Sequence, residues 1–214
     1  GLDFAPRQSF VSLLRRVADI KGVERIRFTS PHPQEVRSDF IDFVCENPKV
    51  CRHIHLPLQS GSDRILKAMN RNYIIVAFPG ETEEDFEQTL DIMRQVRFIN
   101  SYSFVFAPRP GTVAAGMESQ FLTREVGLER LQRLQQLQEE HGREALESWV
   151  GKTVEVLIEG PSSFDSTLMC GRTSQNIVIN LTSAAPQLEA GALVSVEVTG
   201  TNRFTLSGTV ASGA

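Results

Sequence analysis

Apolar residues recur along the first half of the chain in two alternating periods. Phe10, Leu13, Leu14 and Val17 share one face at helical spacing and predict a helix over 9–20, with Ser9 as cap and Gly22 as stop. Residues 23–28 (VERIRF) alternate instead and predict a strand. Val36, Phe40, Ile41 and Val44 predict a second helix over 34–46, ending before Asn47-Pro48. The series continues with a strand at 53–58 (HIHLPL), a short helix at 62–69, a strand at 74–78 (IIVAF), a helix at 82–96 and a strand at 101–106 (SYSFVF). Thr82-x-x-Asp85 opens the 82–96 helix in the manner of a capping box, with acidic residues where the helix dipole favours them. Strands alternating with helices imply parallel pairing through right-handed crossovers, and so an α/β architecture, open or barrel-like.

Each of these strands runs into a polar segment rich in Gly and Pro: Thr29-Ser-Pro-His-Pro33, Gln59-Ser-Gly-Ser62, Pro79-Gly-Glu81 and Ala107-Pro-Arg-Pro-Gly-Thr112. In a parallel α/β fold such segments emerge on one rim, where these folds keep their ligands. Any single one is ordinary turn chemistry. Four in succession, each with a hydroxyl, carboxylate, amide or guanidinium, predict a shared site.

The pattern changes twice more. Residues 121–149 are rich in Gln, Glu, Arg and Leu, and Leu128, Leu131, Leu134 and Leu137 drift around a helix without holding a heptad, which predicts a helix joining two domains and not a coiled coil. From residue 151 onward, KTVEVLIEG, GRTSQNIVINL, ALVSVEVTGTN and RFTLSGTV read as short alternating strands split by Gly, Ser and Asn, the signature of a small antiparallel barrel. The expected division is 1–120, 121–148 and 149–214. Barrels of this kind bind single-stranded nucleic acid or act as spacers. Here Lys152, Arg172 and Arg203 face Glu155, Glu159, Asp165, Glu189 and Glu197, an acidic excess that weakens any non-specific phosphate grip. Lys152, Arg172, Thr173, Asn176, Arg203 and the aromatic Phe204 are the candidates for RNA contact; their other reading is ordinary surface and core.

The formal charge of −4 argues neither for nor against a nucleic-acid partner, which must be held by a local patch. Three scattered cysteines, Cys45, Cys51 and Cys170, fit a reduced compartment and form neither a CxxC pair nor a close triplet. No apolar run approaches a membrane span and the first residues lack a signal layout, so the expectation is a cytoplasmic protein.

Taken together, RIRFTSPHP, VCRHIHLPLQSGSDRILKAMNR, IIVAFPGETEEDFEQTLD and FVFAPRPGTVAAGM resemble the second half of the radical S-adenosylmethionine methylthiotransferases. VGKTVEVLIEGPS followed by GRTSQNIVIN resembles their C-terminal RNA-binding TRAM module, and HLPLQSGSDR is closer to the tRNA-modifying branch than to the branch acting on a ribosomal protein. The resemblance covers nearly the whole chain. It implies a partial radical-SAM (β/α) barrel followed by a small all-β TRAM barrel. It also implies two 4Fe-4S clusters and S-adenosylmethionine, a deoxyadenosyl radical, an electron donor for cluster reduction, and a methylthio group added at C2 of an isopentenylated adenosine beside the tRNA anticodon. A soluble monomer acting on the anticodon stem-loop is the corresponding expectation.

Under that resemblance Gln59, Ser60 and Ser62 become candidates for the ribose or methionine end of S-adenosylmethionine, Ser62 taken alone reading slightly better as the cap of the following helix. Ser30 and His32 come from the neighbouring loop, His32 reading better as fixed loop structure. Glu81 is either a contact to cofactor or substrate or a first-turn helix acid. Arg109, between two prolines, suits an anionic partner, the cofactor carboxylate or a tRNA phosphate. His53 and His55 read as buried, hydrogen-bonded histidines. Two departures qualify the match. No CxxxCxxC occurs, so neither cluster has its ligands here and this chain alone is expected to be inactive. In the family a further helix separates the equivalents of AMNRNY and IIVAFPGE, whereas here Tyr73 abuts Ile74 and Gln59 to Tyr73 is short for a parallel crossover. The competing readings are a non-catalytic tRNA-binding remnant and the same chemistry on a ribosomal protein.

Overall fold

The computed structural model describes residues 8–29, 36–56, 58–69, 74–163, 165–182 and 188–211. They fall into two compact units, one made of residues 1–56 with 149–214 and the other of 57–148. Compactness thus groups the first 56 residues with the C-terminal barrel, a different partition from the compositional one at 120 and 148.

In the first unit, α1 (Phe10–Ala18) and α2 (Ser38–Glu46) pack through Val11, Leu14, Phe40, Phe43 and Val44, with rings of Phe10, Phe28 and Phe40 in mutual contact. Ser9 caps α1 as expected, its Oγ accepting the Ser12 N–H at 3.0 Å. The expected strand at 23–28 is reduced to one parallel bridge, Ile26 to Val50. Ile26 is buried in the helical core while its backbone pairs with Lys49 O and the Cys51 N–H. The same unit holds the barrel: β3 (Thr153–Pro161), β4 (Met169–Thr173), β5 (Val178–Leu181), β6 (Leu193–Thr201) and β7 (Thr205–Val210), closed in the order β3-β4-β5-β7-β6. All pairs are antiparallel except β5 with β7, which run parallel. Alternate residues point inward, so Val156, Ile158, Ile179, Leu181, Val196, Val198 and Leu206 fill the lumen. Gly171 is obligatory for closure, since a Cβ there would meet Leu157 O at 2.3 Å.

In the second unit, α3 (Asp63–Met69) precedes β1 (Ile74–Val76), α4 (Glu83–Val96), β2 (Ser103–Val105) and α5 (Arg124–Glu147). β1 and β2 pair in parallel with α4 between them in sequence, a single β-α-β step. The expected strand at 53–58 forms no ladder among the described residues. α5 does more than link domains. Its stripe of Gly127, Arg130, Leu134, Gln138 and His141 is buried, and Gly127 lies so close to β2 that a Cβ would stand 2.7 Å from Val105 Cγ1. Ile74, Val76, Phe86, Leu90, Met93 and Leu134 form the core under it. No helix among the described residues is long and apolar enough to cross a membrane.

Candidate functional site

The polar segment Gln59 to Ser62 folds onto the start of α4. Gly61 approaches that helix so closely that a Cβ would fall 2.2 Å from Gln88 O, and its N–H donates to Thr89 Oγ1 at 2.9 Å. Ser60 is buried, with Oγ 3.3 Å from Thr89 Oγ1 and accepting the Ser62 N–H at 3.1 Å. Ser62, also buried, donates from Oγ to Asp85 Oδ1 at 2.6 Å and sits 3.5 Å from the Ile65 N–H at the start of α3. Gln59 is half-buried and its carbonyl accepts the Ile75 N–H at 3.3 Å. Asp85 is the hub. It accepts from the Thr82 N–H at 2.9 Å and Thr82 Oγ1 at 2.7 Å, completing the capping box, and from Arg64 as well. Burial alone would raise the Asp85 carboxyl, but hydrogen bonds from Arg64, Ser62 and Thr82 outweigh it and hold the group well below the usual carboxylate range.

Glu81 occupies a second internal network. It is buried, and its Oε2 accepts the Ala77 N–H at 2.6 Å and Arg130 Nη1 at 2.7 Å. Ala77 has φ of 58°, the left-handed region that an alanine adopts at a cost of about 1 kcal/mol. The Glu81 carboxylate therefore pins the turn leaving β1. Burial pushes the Glu81 carboxyl up, against the pull of Ala77 and Arg130. Arg130 in turn reaches Glu83 at 3.1 Å, and Arg133 bonds Glu83, Glu87 and Glu129 while lying over the Phe86 ring.

Arg109 stands apart from both networks. It is exposed and lines a cavity of about 940 Å³ in the same unit, walled by Met69, Ile75, Phe78, Tyr102 and Phe106. Ser60, Ser62 and Glu81 are not among its walls. Ser30 and His32 lie outside the described residues. The structure thus separates the sequence-derived group: Ser60 and Ser62 share one buried cluster, Glu81 another, and Arg109 the cavity. Asp85 and Arg130 carry both networks, and sequence reasoning gave Asp85 a capping role alone. Their positions were readable from helical spacing, because Asp85 and Thr89 share the buried face of α4 with Phe86, Leu90 and Met93. His53 and His55 are half-buried; burial first, then the charges of Arg27 and His55, lower the His53 pKa.

In the barrel, strand register brings the other candidates to one end. Thr173 pairs with Val156 in the first half of β3, Val178 with Thr205 at the starts of β5 and β7, and Thr153 with Glu197 at the middle of β6, whose second half runs on to pair Thr201 with Leu206 of β7. Lys152, the β4–β5 turn with Arg172, Thr173 and Asn176, and the β6–β7 turn with Arg203 and Phe204 therefore share that end. Phe204 is 64% exposed with the Arg203 guanidinium 5.1 Å from its ring centre, and Lys152 Nζ lies 5.4 Å from the Trp149 ring. Arg172 Nε bonds Glu159 at 3.0 and 3.1 Å. Asn176 takes φ of 66°, which the turn requires. Thr173 is 1% exposed and turns its Oγ1 inward to accept the Ile177 N–H, so it shapes the turn and presents no hydroxyl to solvent.

Residues 147–211 match the family model described as TRAM domain. Proteins named tRNA-2-methylthio-N(6)-dimethylallyladenosine synthase match nearly the whole chain. Those of Acetivibrio thermocellus, Corynebacterium efficiens and Myxococcus xanthus are each 42% identical, over 98%, 94% and 89% of this chain and 48%, 44% and 46% of their own lengths. The chain spans about half the length of the curated relatives it matches. The Acetivibrio alignment runs over 234 positions, more than the 214 residues present here, so that relative carries residues with no counterpart in this chain. The TRAM and synthase matches agree: the chain carries a TRAM domain and, over nearly its whole length, is similar to a TRAM-containing part of these synthases.

Proposed function

We propose that this chain is the tRNA-binding part of an enzyme that adds a methylthio group to the adenine of an N6-isopentenylated adenosine beside the anticodon. One observation carries the reading: strand register gathers Lys152, Arg172, Asn176, Arg203 and Phe204 at one end of a barrel that matches the TRAM model. An exposed aromatic flanked by cations is what a single-stranded loop needs, the ring for stacking and the cations for the backbone.

The second unit supports the rest of the reading as part of a (β/α) barrel, with β1, α4 and β2 as one repeat. S-adenosylmethionine and two 4Fe-4S clusters are the groups such chemistry implies. Ser60, Ser62 and Glu81 spend their polar atoms inside the unit, so they do not fit direct contact with S-adenosylmethionine. Arg109, on a cavity with aromatic walls, fits its carboxylate by charge. The described residues hold no group of three or more His, Cys, Asp or Glu that converges, and Cys45, Cys51 and Cys170 are dispersed. No step through a cluster is assigned to these residues.

Two measurements test the proposal. A labelled anticodon stem-loop titrated with this chain should bind with a steep salt dependence, and absence of binding removes the RNA reading. Deleting the gene should abolish the methylthio nucleoside in bulk tRNA, and unchanged nucleoside levels refute the assigned reaction.

A further inference from the structure

We propose that Arg27, which lies outside the TRAM domain, extends the RNA-binding end of the barrel by contacting a backbone phosphate. The inference rests on the RNA-binding reading above and adds a residue that the TRAM match, beginning at residue 147, does not contain.

The bridge at Ile26 fixes the orientation of its neighbours. Ile26 is 6% exposed and faces the helical core, held by its N–H to Lys49 O at 2.7 Å and by the Cys51 N–H to its own carbonyl at 2.9 Å. Extended backbone alternates faces, so Arg25 and Arg27 both point the other way, onto the end of β4. Arg25 Nη1 donates to Arg172 O at 3.1 Å, and Arg27 Nη2 donates to Thr173 O at 3.2 Å. Three guanidinium groups thus meet at the β4–β5 turn.

Two of them are neutralised. Arg25 pairs with Glu155 at 2.7 Å and Arg172 with Glu159 at 3.0 Å. Arg27 is exposed and has no carboxylate partner among the described residues, while the Thr173 carbonyl occupies one of its donors. A guanidinium has five N–H donors in a planar fork suited to phosphate oxygens. Anchored at one corner and open at the rest, Arg27 is oriented without being satisfied. Its uncompensated charge also falls on half-buried His53, in the same direction as the desolvation that lowers that imidazole's pKa. A phosphate at this turn would answer that excess and lie beside Arg172 and Asn176.

The test uses the full chain and a fluorescein-labelled anticodon stem-loop, with anisotropy titrations over a range of salt concentrations. Arg27→Gln should weaken binding about five- to tenfold and lower the slope of log K against log salt by about 0.7–0.9, the loss of one phosphate contact. Arg16→Gln, an exposed charge on α1, should leave the slope unchanged and controls for net charge. Arg27→Lys should retain the slope, which covers the case in which the glutamine variant loosens the turn. A wild-type slope in Arg27→Gln, an equal loss in Arg16→Gln, or loss of slope in Arg27→Lys would each overturn the proposal while leaving RNA binding by the barrel intact. Failure of the wild-type chain to bind would remove both.

Discussion

Asp85→Ala is the sharpest test of the claim that the Gln59–Ser62 cluster is scaffolding. Removing the carboxylate abolishes the reciprocal half of the α4 capping box, worth about 1 kcal/mol. It also strands Ser62 Oγ, in a residue 2% exposed, at a further cost of about 1–3 kcal/mol. The Arg64 pair adds little, because the Arg64 side chain is 57% exposed and solvent screens it to under about 1 kcal/mol. Together these predict a loss of about 2–4 kcal/mol at neutral pH. The sign with pH comes from the depressed carboxyl. A group held below its ordinary 3.8 stabilises the fold when ionised, so the contribution is complete above about pH 5 and disappears as pH falls through the folded value. Wild type and variant should converge in acid. The single tryptophan, Trp149, belongs to the other unit. Amide hydrogen exchange followed by mass spectrometry on peptides covering 59–66 and α4 reads this region directly. Protection within about 0.5 kcal/mol of wild type at neutral pH, or a deficit that persists undiminished in acid, would refute the reasoning.

The same packing sets three further outcomes. Arg130→Met leaves buried Glu81 unpaired and should cost about 3–5 kcal/mol by chemical denaturation, with Glu81→Gln added in the double variant restoring part of it; an additive double variant would show that the two do not act as a pair. Gly61→Ala should lower stability by about 1–3 kcal/mol or more because its Cβ meets the Gln88 carbonyl, whereas Gly116→Ala, with nothing within 4 Å, should stay within about 0.5 kcal/mol; equal melting temperatures would contradict the close approach. Phe204→Ala should leave stability within about 0.5 kcal/mol and weaken stem-loop binding by about 1–3 kcal/mol, and unchanged affinity in an anisotropy titration would take Phe204 out of the interface.

Helices were the legible part of the sequence because each satisfies its own backbone. Ser9, Thr82 and the drift of leucines after residue 121 located α1, α4 and α5 to within a few residues. Strands need a partner, and alternation reports only which side chains are buried. Residues 23–28 and 53–58 alternate as strands do, and Ile26 and Ile54 indeed pack against the helical core, yet only Ile26 finds a bridge. In the barrel the same periodicity meets neighbours on both sides of every strand, and the ladder closes.

Polarity after a strand proved ambiguous for a related reason. Ser60, Ser62 and Glu81 are the residue types that a ligand site uses, and equally those that satisfy helix starts and a left-handed turn. The distinction lies in what else shares the helix faces opposite them. α4 offers Asp85 and Thr89 on its buried stripe, and α5 offers Arg130 on its own, so Ser60, Ser62 and Glu81 each have an internal partner. The barrel end differs in kind: Phe204 has lost little of its surface, and Arg27 has a geometry fixed by a carbonyl and a charge that no carboxylate among the described residues answers. Unmet interaction capacity held in a fixed orientation separates a recognition surface from a scaffold. By that criterion the chain presents its chemistry to a partner at the β4–β5 and β6–β7 turns.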